Sequence, residues 1–175
     1  MTPAFAFASF AFLGSSVAVA AGRISYTLGF NGPCQTVSTA CSAALVSMHI
    51  GASATMHGES LAALTAGVSI LLLPLSAFAL GLAGMTSADG RSKVFDARAN
   101  GFGRGEGIAA AFLTTHASHG NLGGPTLTGS AVQQDGKSAS LVAPNGSSQR
   151  DLLLHVLGTV GGYRGGLACV EMHGT

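Results

Sequence analysis

Blocks of apolar and small polar residues predict the elements in the first third of the chain. Alanines and valines interleaved with small polar residues favour a helix over 15–26. Glycine and proline in GFNGPC, residues 29–34, predict a turn, and the β-branched residues of QTVST, residues 35–39, favour a short strand. The helix formers that follow predict a helix over 42–57, with Gly58 as its stop. The local order is strand, turn and helix.

The segment from Leu61 to Met85 contains no charged residue and is long enough to cross a bilayer. Pro74 interrupts it, however, and the continuous apolar run over 64–73 is typical of a fully buried parallel strand. We therefore expect a strand over 64–73, a short buried helix over 76–85 and no membrane span. A small membrane protein is the alternative that this segment leaves open.

Further apolar blocks continue the alternation towards the end of the chain. Residues 108–113 predict a strand. The turn residues PNG at 144–146 precede a predicted helix, for which Ser148 is a candidate N-cap, and residues 169–173 predict a last strand. Because strands and helices alternate, we expect the α/β class.

Composition and charge narrow the classes of partner. Only 9% of the 175 residues are charged, against about 25% in an average soluble domain, and 47% are hydrophobic. The formal net charge is +1, so nothing favours binding to nucleic acid or to an anionic membrane surface. We therefore expect much of the surface of this chain to be covered, either by a partner molecule or by other parts of the same protein.

The cysteines and the N-terminus bear on the compartment. Cys34, Cys41 and Cys169 are odd in number and lack the close spacing of a zinc motif, which favours a reducing compartment, cytoplasmic or organellar. The apolar stretch over 1–23 is similar to a signal peptide, but its first positive charge is Arg23, so the basic leading region is missing.

Phosphate and metal motifs fail on their spacing. GFGRGEG has Ile108 where the dinucleotide pattern needs its third glycine. DGKS at 135–138 has Ala131 where a phosphate-binding loop needs its first glycine. His116 and His119 form a pair without a third ligand near them in the sequence, so we expect no metal site.

Cys41 lies at the turn that opens the predicted helix. A lone cysteine is most often a small apolar side chain in a core, and that interpretation stays open. At a helix start, however, free backbone N–H groups stabilise a thiolate, and they can also hold the oxyanion that forms when the sulfur attacks a thioester. His49 and His57 are expected on the helix surface or at an interface, since His49 lies about 12 Å along the axis and cannot reach the sulfur. His173 is the candidate partner.

Six segments follow one another in a recognisable order: VAAGRISYTLGFNGPC, TACSAAL around Cys41, GESLAALTAGVSILLLP, DGRSKVFDARANGFGRGEG, GSAVQQDGKSASLVAPNGSSQ and VEMHGT. Together they resemble the β-ketoacyl synthase (ketosynthase) domain of modular polyketide synthases, a member of the thiolase-like family. The resemblance runs from about Ser16 to the last residue. It implies an α/β, thiolase-like layered fold, incomplete here, in which helices pack on a mixed, largely parallel sheet.

The resemblance also implies a role for each matching residue. Cys41 matches the cysteine that accepts the acyl chain from the phosphopantetheine arm of an acyl carrier protein, and its backbone N–H would be one oxyanion donor. His173 matches a histidine that assists decarboxylation of a malonyl-type extender, whose enolate attacks the Cys41 thioester in a Claisen condensation. Thr175 matches a threonine that hydrogen-bonds the pantetheine arm. Glu106 matches a glutamate with a structural role.

The partners implied by the resemblance are an acyl carrier protein, acyl and malonyl thioesters, and a second copy of the chain. In this homodimer the strand expected over 64–73 lies near the dyad. No cofactor is expected to bind the chain directly, because the phosphopantetheine arm is carried by the acyl carrier protein.

The sequence also departs from the family pattern. Ser38 stands where the family has an aspartate, Ala43 and Ala44 stand where it has serines, and Met172 replaces a small alanine beside His173. The second catalytic histidine of the family has its place after the last residue of this chain. We therefore expect a divergent N-terminal segment over 1–14 and a partial ketosynthase domain over 15–175.

Two functions follow from these observations. The chain is part of a polyketide or fatty-acid β-ketoacyl synthase that condenses acyl chains in its complete form, and we expect no condensation from the chain alone. Alternatively, it is a truncated or divergent ketosynthase-like protein without condensing activity, with a structural or acyl-binding role.

Overall fold

The computed structural model describes residues 11, 13–115, 123–140, 143–160 and 167–173. Its helices and strands follow one another in the order α1 (Ala20–Leu28), α2 (Ala43–Met56), β1 (Ala62–Ser69), α3 (Pro74–Leu82), β2 (Gly107–Thr114) and α4 (Gly146–Thr159). Short 3₁₀ turns, Val17–Val19 and Ala40–Ser42, lead into α1 and α2.

Helix α1 occupies the region predicted to be helical, and it ends at Gly29 in the left-handed conformation (φ 72°). The strand predicted over 35–39 is wrong, because these residues pair with no strand in the part of the chain that the structure describes. Instead, the hydroxyl of Thr36 accepts a hydrogen bond of 3.2 Å from the N–H of Ala21, in the first turn of α1. A distant side chain therefore satisfies one of the free N–H groups at this helix start.

Helix α2 confirms the helix predicted over 42–57. It ends where the sequence predicted, since Gly58 follows with a positive φ of 73°. The N–H groups of Gly58 and Glu59 donate to the carbonyl oxygens of Thr55 and Ala54, at 3.3 and 3.0 Å. These two bonds close the last turn of α2, after which the chain continues into β1.

Strands β1 and β2 pair along their whole length, from Ala62 opposite Thr114 to Ser69 opposite Gly107. The strands predicted at 64–73 and 108–113 are thus present, although β1 begins two residues earlier and stops at Ser69. The pair is antiparallel, so the parallel pairing expected for the first of them is wrong here. A parallel bridge between Thr86 and Phe102 lies outside these strands.

Helix α2 packs on one face of this sheet through small side chains. Alternation along a strand places Ala63, Thr65 and Gly67 on the same face, and Thr65 is 7% exposed. A Cβ built on Gly51 of α2 would lie 2.6 Å from the Cγ2 of Thr65, so the helix backbone approaches the strand closely. The opposite face carries larger apolar residues that are exposed: Leu64, Val68, Ile108 and Phe112.

The segment after β1 is not the buried run that the sequence predicted. Pro74 does mark a boundary, because it occupies the first turn of α3. However, Leu72 is 80% exposed and Leu75 is 73% exposed, and α3 has no buried residue. The prediction of a buried strand end and a buried helix is therefore wrong for this chain in isolation. Within the described residues, no helix is both long and apolar enough to cross a membrane.

Helix α4 begins where the turn at 144–146 predicted a helix, but its N-cap is Asn145 and not Ser148. The side-chain oxygen of Asn145 accepts hydrogen bonds from the N–H groups of Ser147 and Ser148, at 3.1 and 3.3 Å. The hydroxyl of Ser148 donates instead to the carbonyl oxygen of Asp135, at 2.9 Å. The strand predicted over 169–173 is wrong, since the described residues give it no hydrogen-bonded neighbour.

Candidate active site

Cys41 lies in the 3₁₀ turn Ala40–Ser42, directly ahead of α2, and its side chain is exposed. This position confirms the prediction that the thiol stands where a helix begins. Because α2 has no acidic residue in its first turn, the partial positive charge of the helix start is not neutralised there.

The backbone of this turn is unusual at Ala40, whose φ of 53° lies in the left-handed region. A residue with a Cβ adopts this conformation at a cost of about 1–2 kcal/mol. Sequence reasoning could not predict this conformation, because alanine is not a residue that favours positive φ. Hydrogen bonds hold the turn: the hydroxyl of Ser42 donates to the carbonyl oxygen of Thr39 at 2.8 Å, and its N–H donates to the same oxygen at 3.3 Å.

The turn leaves one backbone donor available beside the sulfur. The N–H groups of Ser42 and Ala43 donate to the carbonyl oxygens of Thr39 and Ala40. Among the described residues, none accepts a hydrogen bond from the N–H of Cys41. A free N–H next to a thiol is the arrangement that can hold an oxyanion as the sulfur attacks a carbonyl carbon.

Glu106 ties the end of β1 to the loop that leads into β2. Its carboxylate accepts a hydrogen bond of 2.6 Å from the N–H of Leu71. Next to it, the hydroxyl of Ser69 donates to the carbonyl oxygen of Gly105, at 3.2 Å. Glu106 thus joins two backbone segments, and this contact is structural in kind.

The predicted partner of the thiol, His173, makes no hydrogen bond to it in the described part of the chain. His173 belongs to the described stretch 167–173 and is exposed. Within the described part of the chain, no hydrogen bond joins its ring to the sulfur of Cys41. Thr175 lies outside the described residues. The structure therefore establishes the position and the backbone environment of Cys41, and the roles of His173 and Thr175 stay predictions.

Comparison with known proteins identifies the family. A sequence model described as "Beta-ketoacyl synthase, N-terminal domain" matches residues 4–119, more than half of the chain. The chain belongs to the β-ketoacyl synthase family. Erythronolide synthase EryA2 of Saccharopolyspora erythraea is 41% identical over 166 residues, covering 93% of this chain and 5% of that protein. Polyketide synthase PksL of Bacillus subtilis (strain 168) is also 41% identical over 166 residues, covering 93% of this chain and 4% of that protein.

A solved ketosynthase has the same fold. The ketosynthase from module 6 of the bacillaene synthase of Bacillus subtilis 168 matches with a TM-score of 0.82 and 39% identity. The match covers 93% of this chain and 30% of that one. It confirms the resemblance to modular polyketide ketosynthases and the thiolase-like, layered α/β class. This β-ketoacyl synthase chain spans less than a third of the solved protein and a few per cent of the curated relatives.

The histidines on α2 of this β-ketoacyl synthase chain have local partners. The Nδ1 of His49 lies 2.9 Å from the hydroxyl of Ser130, which links α2 to the segment 123–140. The Nδ1 of His57 donates to the carbonyl oxygen of Ser53, at 2.8 Å. Neither ring contacts Cys41, in agreement with the prediction that both have surface or interface roles. His116 and His119 lie outside the described residues, and the described part of the chain holds no group of side chains that could bind a metal ion.

The polar loop between α3 and β2 is held by two ion pairs. The side chain of Arg98 donates to the carboxylate of Asp96, and so does its backbone N–H. Both hydrogen bonds lower the pKa of that carboxyl, and the side-chain bond has the larger effect. Lys93 and Ser87 likewise lower the pKa of Asp89 through hydrogen bonds. Each carboxyl therefore stays ionised to a lower pH than an unpaired aspartate, and both ion pairs join residues within this loop.

Sequence reasoning missed one polar centre, at Asp135. Its carboxylate accepts from the N–H of Asn145 at 2.9 Å, and its carbonyl oxygen accepts from the Asn145 amide at 3.0 Å. The asparagine before a glycine at the predicted helix start was the available signal, because asparagine is among the best N-caps. The centre holds the segment 123–140 against the start of α4.

Proposed function

We propose that this chain supplies the acyl-accepting cysteine of a modular polyketide ketosynthase. The single observation that carries this proposal is the exposed thiol of Cys41 in the turn ahead of a 14-residue helix. A helix start favours a thiolate, which is the nucleophilic form of cysteine. The free N–H of Cys41 supports the same role, since it lies where an oxyanion would form.

The acyl-transfer step uses groups of this chain. The Cys41 thiolate attacks the carbonyl carbon of an acyl thioester on the phosphopantetheine arm of an acyl carrier protein. The new carbon–sulfur bond forms a tetrahedral intermediate, whose oxyanion accepts the hydrogen bond from the Cys41 N–H. The intermediate collapses, the bond to the pantetheine sulfur breaks, and that sulfur leaves as a thiolate that takes up a proton from water.

Condensation adds a second step, to which His173 and Thr175 are assigned. A malonyl-type thioester loses carbon dioxide as its carbon–carbon bond breaks, and His173 donates a hydrogen bond that stabilises the enolate. The enolate carbon then attacks the Cys41 acyl thioester, and the thiolate of Cys41 is released. Thr175 would hold the pantetheine arm. We expect this step to need further groups from outside this chain.

A second copy of the chain and an acyl carrier protein are the proposed partners. The low charge of the chain and the exposed leucines between β1 and α3 support a covered surface in the assembled enzyme. In that assembly the strand region over 64–73 would lie near the dyad of a homodimer.

The test is acylation of the full chain by an acyl pantetheine thioester, followed by fragmentation mass spectrometry that assigns the adduct. Cys34, Cys41 and Cys169 are all exposed, so accessibility alone does not distinguish them. We expect the adduct on Cys41, its loss in Cys41→Ala and its retention in Cys34→Ala. An unlabelled Cys41 would overturn the proposal and favour a ketosynthase-like protein without acyl transfer.

Condensation is tested separately. With a malonyl thioester added, we expect no β-ketoacyl product from the chain alone above the level of Cys41→Ala. Product above that level would show that the chain needs no further groups.

A further inference from the structure

Strand β1 has a glycine directly beneath the first turn of α2. A Cβ built on Gly67 would lie 2.8 Å from the Cβ of Ala44, closer than carbon atoms approach without displacement. Carbon atoms in contact are about 3.5–4.0 Å apart, so a side chain at Gly67 would push this end of the helix away by about 1 Å. The methyl group of Ala44 occupies the space that Gly67 leaves.

The contact lies close to the nucleophile. Ala44 follows Cys41 by three residues, and the intervening turn is bonded to the helix through the N–H of Ala43 and the carbonyl oxygen of Ala40. The turn therefore moves with the start of the helix. The second close approach, of Gly51 to Thr65, lies seven residues further along, about two helical turns away.

We propose that Gly67 is a positioning residue for Cys41. Because Gly67 has no side chain, Ala44 can contact the strand directly. This contact sets the distance between β1 and the start of α2, and thus the position of the thiol and of the N–H of Cys41. Gly51 sets the distance of the other end of the helix, so the two glycines act on different parts of α2. A shift of about 1 Å at a reacting group can cost about a hundredfold in rate.

Because this role rests on the proposed function of Cys41, the experiment measures the thiol itself. The probe is iodoacetamide, and the readout is the rate of alkylation of each cysteine in the full chain at neutral pH. Cys34 and Cys169 are exposed internal references in the same molecule. In the unaltered chain we expect Cys41 to react faster than both references.

The decisive variant is Gly67→Ala, with Gly51→Ala as the matched control. We expect Gly67→Ala to slow alkylation of Cys41 at neutral pH by about tenfold, with the rates of both references unchanged. Gly51→Ala also inserts a methyl group against β1, but we expect Cys41 to react in it at the rate of the unaltered chain. Equal effects of the two variants would reduce Gly67 to a general packing residue and overturn the inference.

Rescue supplies the second test. Ala44→Gly removes the methyl group that a side chain at Gly67 would meet, so the double variant Gly67→Ala with Ala44→Gly is expected to return to within about twofold of the unaltered rate. If Gly67→Ala alone fails to fold, Ala44→Gly alone removes the same contact without adding atoms, and we expect a smaller loss of the alkylation rate of Cys41. An unchanged rate at Cys41 in Ala44→Gly, or no rescue in the double variant, contradicts the inference.

The proposed function of Cys41 and the positioning role of Gly67 are contradicted by different results. If Cys41 of the unaltered chain reacts no faster than Cys34 and Cys169, the reactive thiol of the proposed function is wrong and the role of Gly67 falls with it. If Cys41 reacts faster and Gly67→Ala leaves that advantage intact, only the positioning role is wrong.

Discussion

The unit formed by α2 and the face of the β1–β2 sheet that it covers, and the segment that follows β1, residues 70–85, use apolar residues in opposite ways. Within the unit, contacts close over small side chains, among them Ala44, Thr65 and the two glycines Gly51 and Gly67. Within the segment, large side chains such as Leu72 and Leu75 are mostly exposed. Small residues let two backbones of one chain approach each other, whereas large apolar side chains contribute free energy only once other protein covers them.

The sheet face that α2 covers is therefore packed from within, whereas the segment beyond β1, like the opposite face of the sheet, leaves large apolar side chains uncovered. Four changes test this division, in order of expected effect.

Gly51→Ala should have the largest effect, because its new methyl group meets the Cγ2 of the buried Thr65. We expect a loss of about 1–2 kcal/mol in the free energy of unfolding, after the gain in helix propensity is subtracted from the cost of overpacking. Urea unfolding followed by circular dichroism measures it. The matched control is Gly158→Ala in α4, where an added Cβ would meet no neighbouring atom within 4 Å. There we expect the free energy of unfolding to rise by roughly 0.5–1 kcal/mol. Losses of equal size at both glycines would remove the contrast.

Asn145→Ala should come next, because the Asn145 side chain caps the start of α4. Loss of the N-cap costs about 1 kcal/mol, measured by the same unfolding experiment. Ser148→Ala is the control, since its hydroxyl donates only to the carbonyl oxygen of Asp135 and does not cap the helix. If Ser148→Ala proved the more damaging change, the assignment of the cap to Asn145 would be wrong.

Asp96→Asn should have a smaller effect that depends on pH and salt. Because Arg98 lowers the pKa of Asp96 in the folded chain, the pair stabilises the fold above about pH 4, where the unfolded carboxyl is also ionised. This contribution disappears as the pH falls through the lowered pKa. We expect Asp96→Asn to destabilise the chain slightly at pH 7 in low salt and not at all in acid, by urea unfolding. A difference that persists in acid or in 1 M salt would show that Asp96 acts through something other than charge.

Leu75→Ser should change the free energy of unfolding least, within about 0.5 kcal/mol, because the side chain is already exposed. Its effect belongs instead to association: we expect weaker self-association in sedimentation velocity than for the unaltered chain. Thr65→Ser, a change within the packed unit, should show the reverse, with lower stability and unchanged association. A stability loss in Leu75→Ser like that of a core residue would place the segment inside the fold.

The elements of the packed unit could be predicted from sequence, because local signals and tertiary contacts agree there. Gly58 ends α2 by its left-handed conformation, and two apolar runs that follow it, 62–69 and 107–114, pair as β1 and β2. The residues 35–39 show the opposite case, since β-branched residues make a strand only where a neighbouring strand is available. Burial of Leu72 and Leu75 could not be predicted correctly for this chain, because hydrophobicity does not say which molecule covers a side chain.

The candidate site was predictable only in part. The position of Cys41 followed from the helix formers after it, and its family role followed from the TACSAAL motif. The left-handed backbone of Ala40 and the contact between Ala44 and Gly67 depend on tertiary structure, and alanine and glycine carry no pattern that pairs them across 23 positions. The partnership of His173 with Cys41 is a matter of long-range geometry, which sequence order does not determine.

The left-handed backbone conformation of Ala40 restricts which residues can replace this alanine. In a saturation library at this position, glycine, asparagine and aspartate would survive selection, because they enter the left-handed region most readily, while valine and isoleucine would be depleted. At Ala43, three positions later and inside the regular helix, glycine would be among the poorly tolerated residues. Two alanines in one heptapeptide would thus show opposite substitution tolerances, and the crossover between them would mark the residue at which the backbone becomes helical.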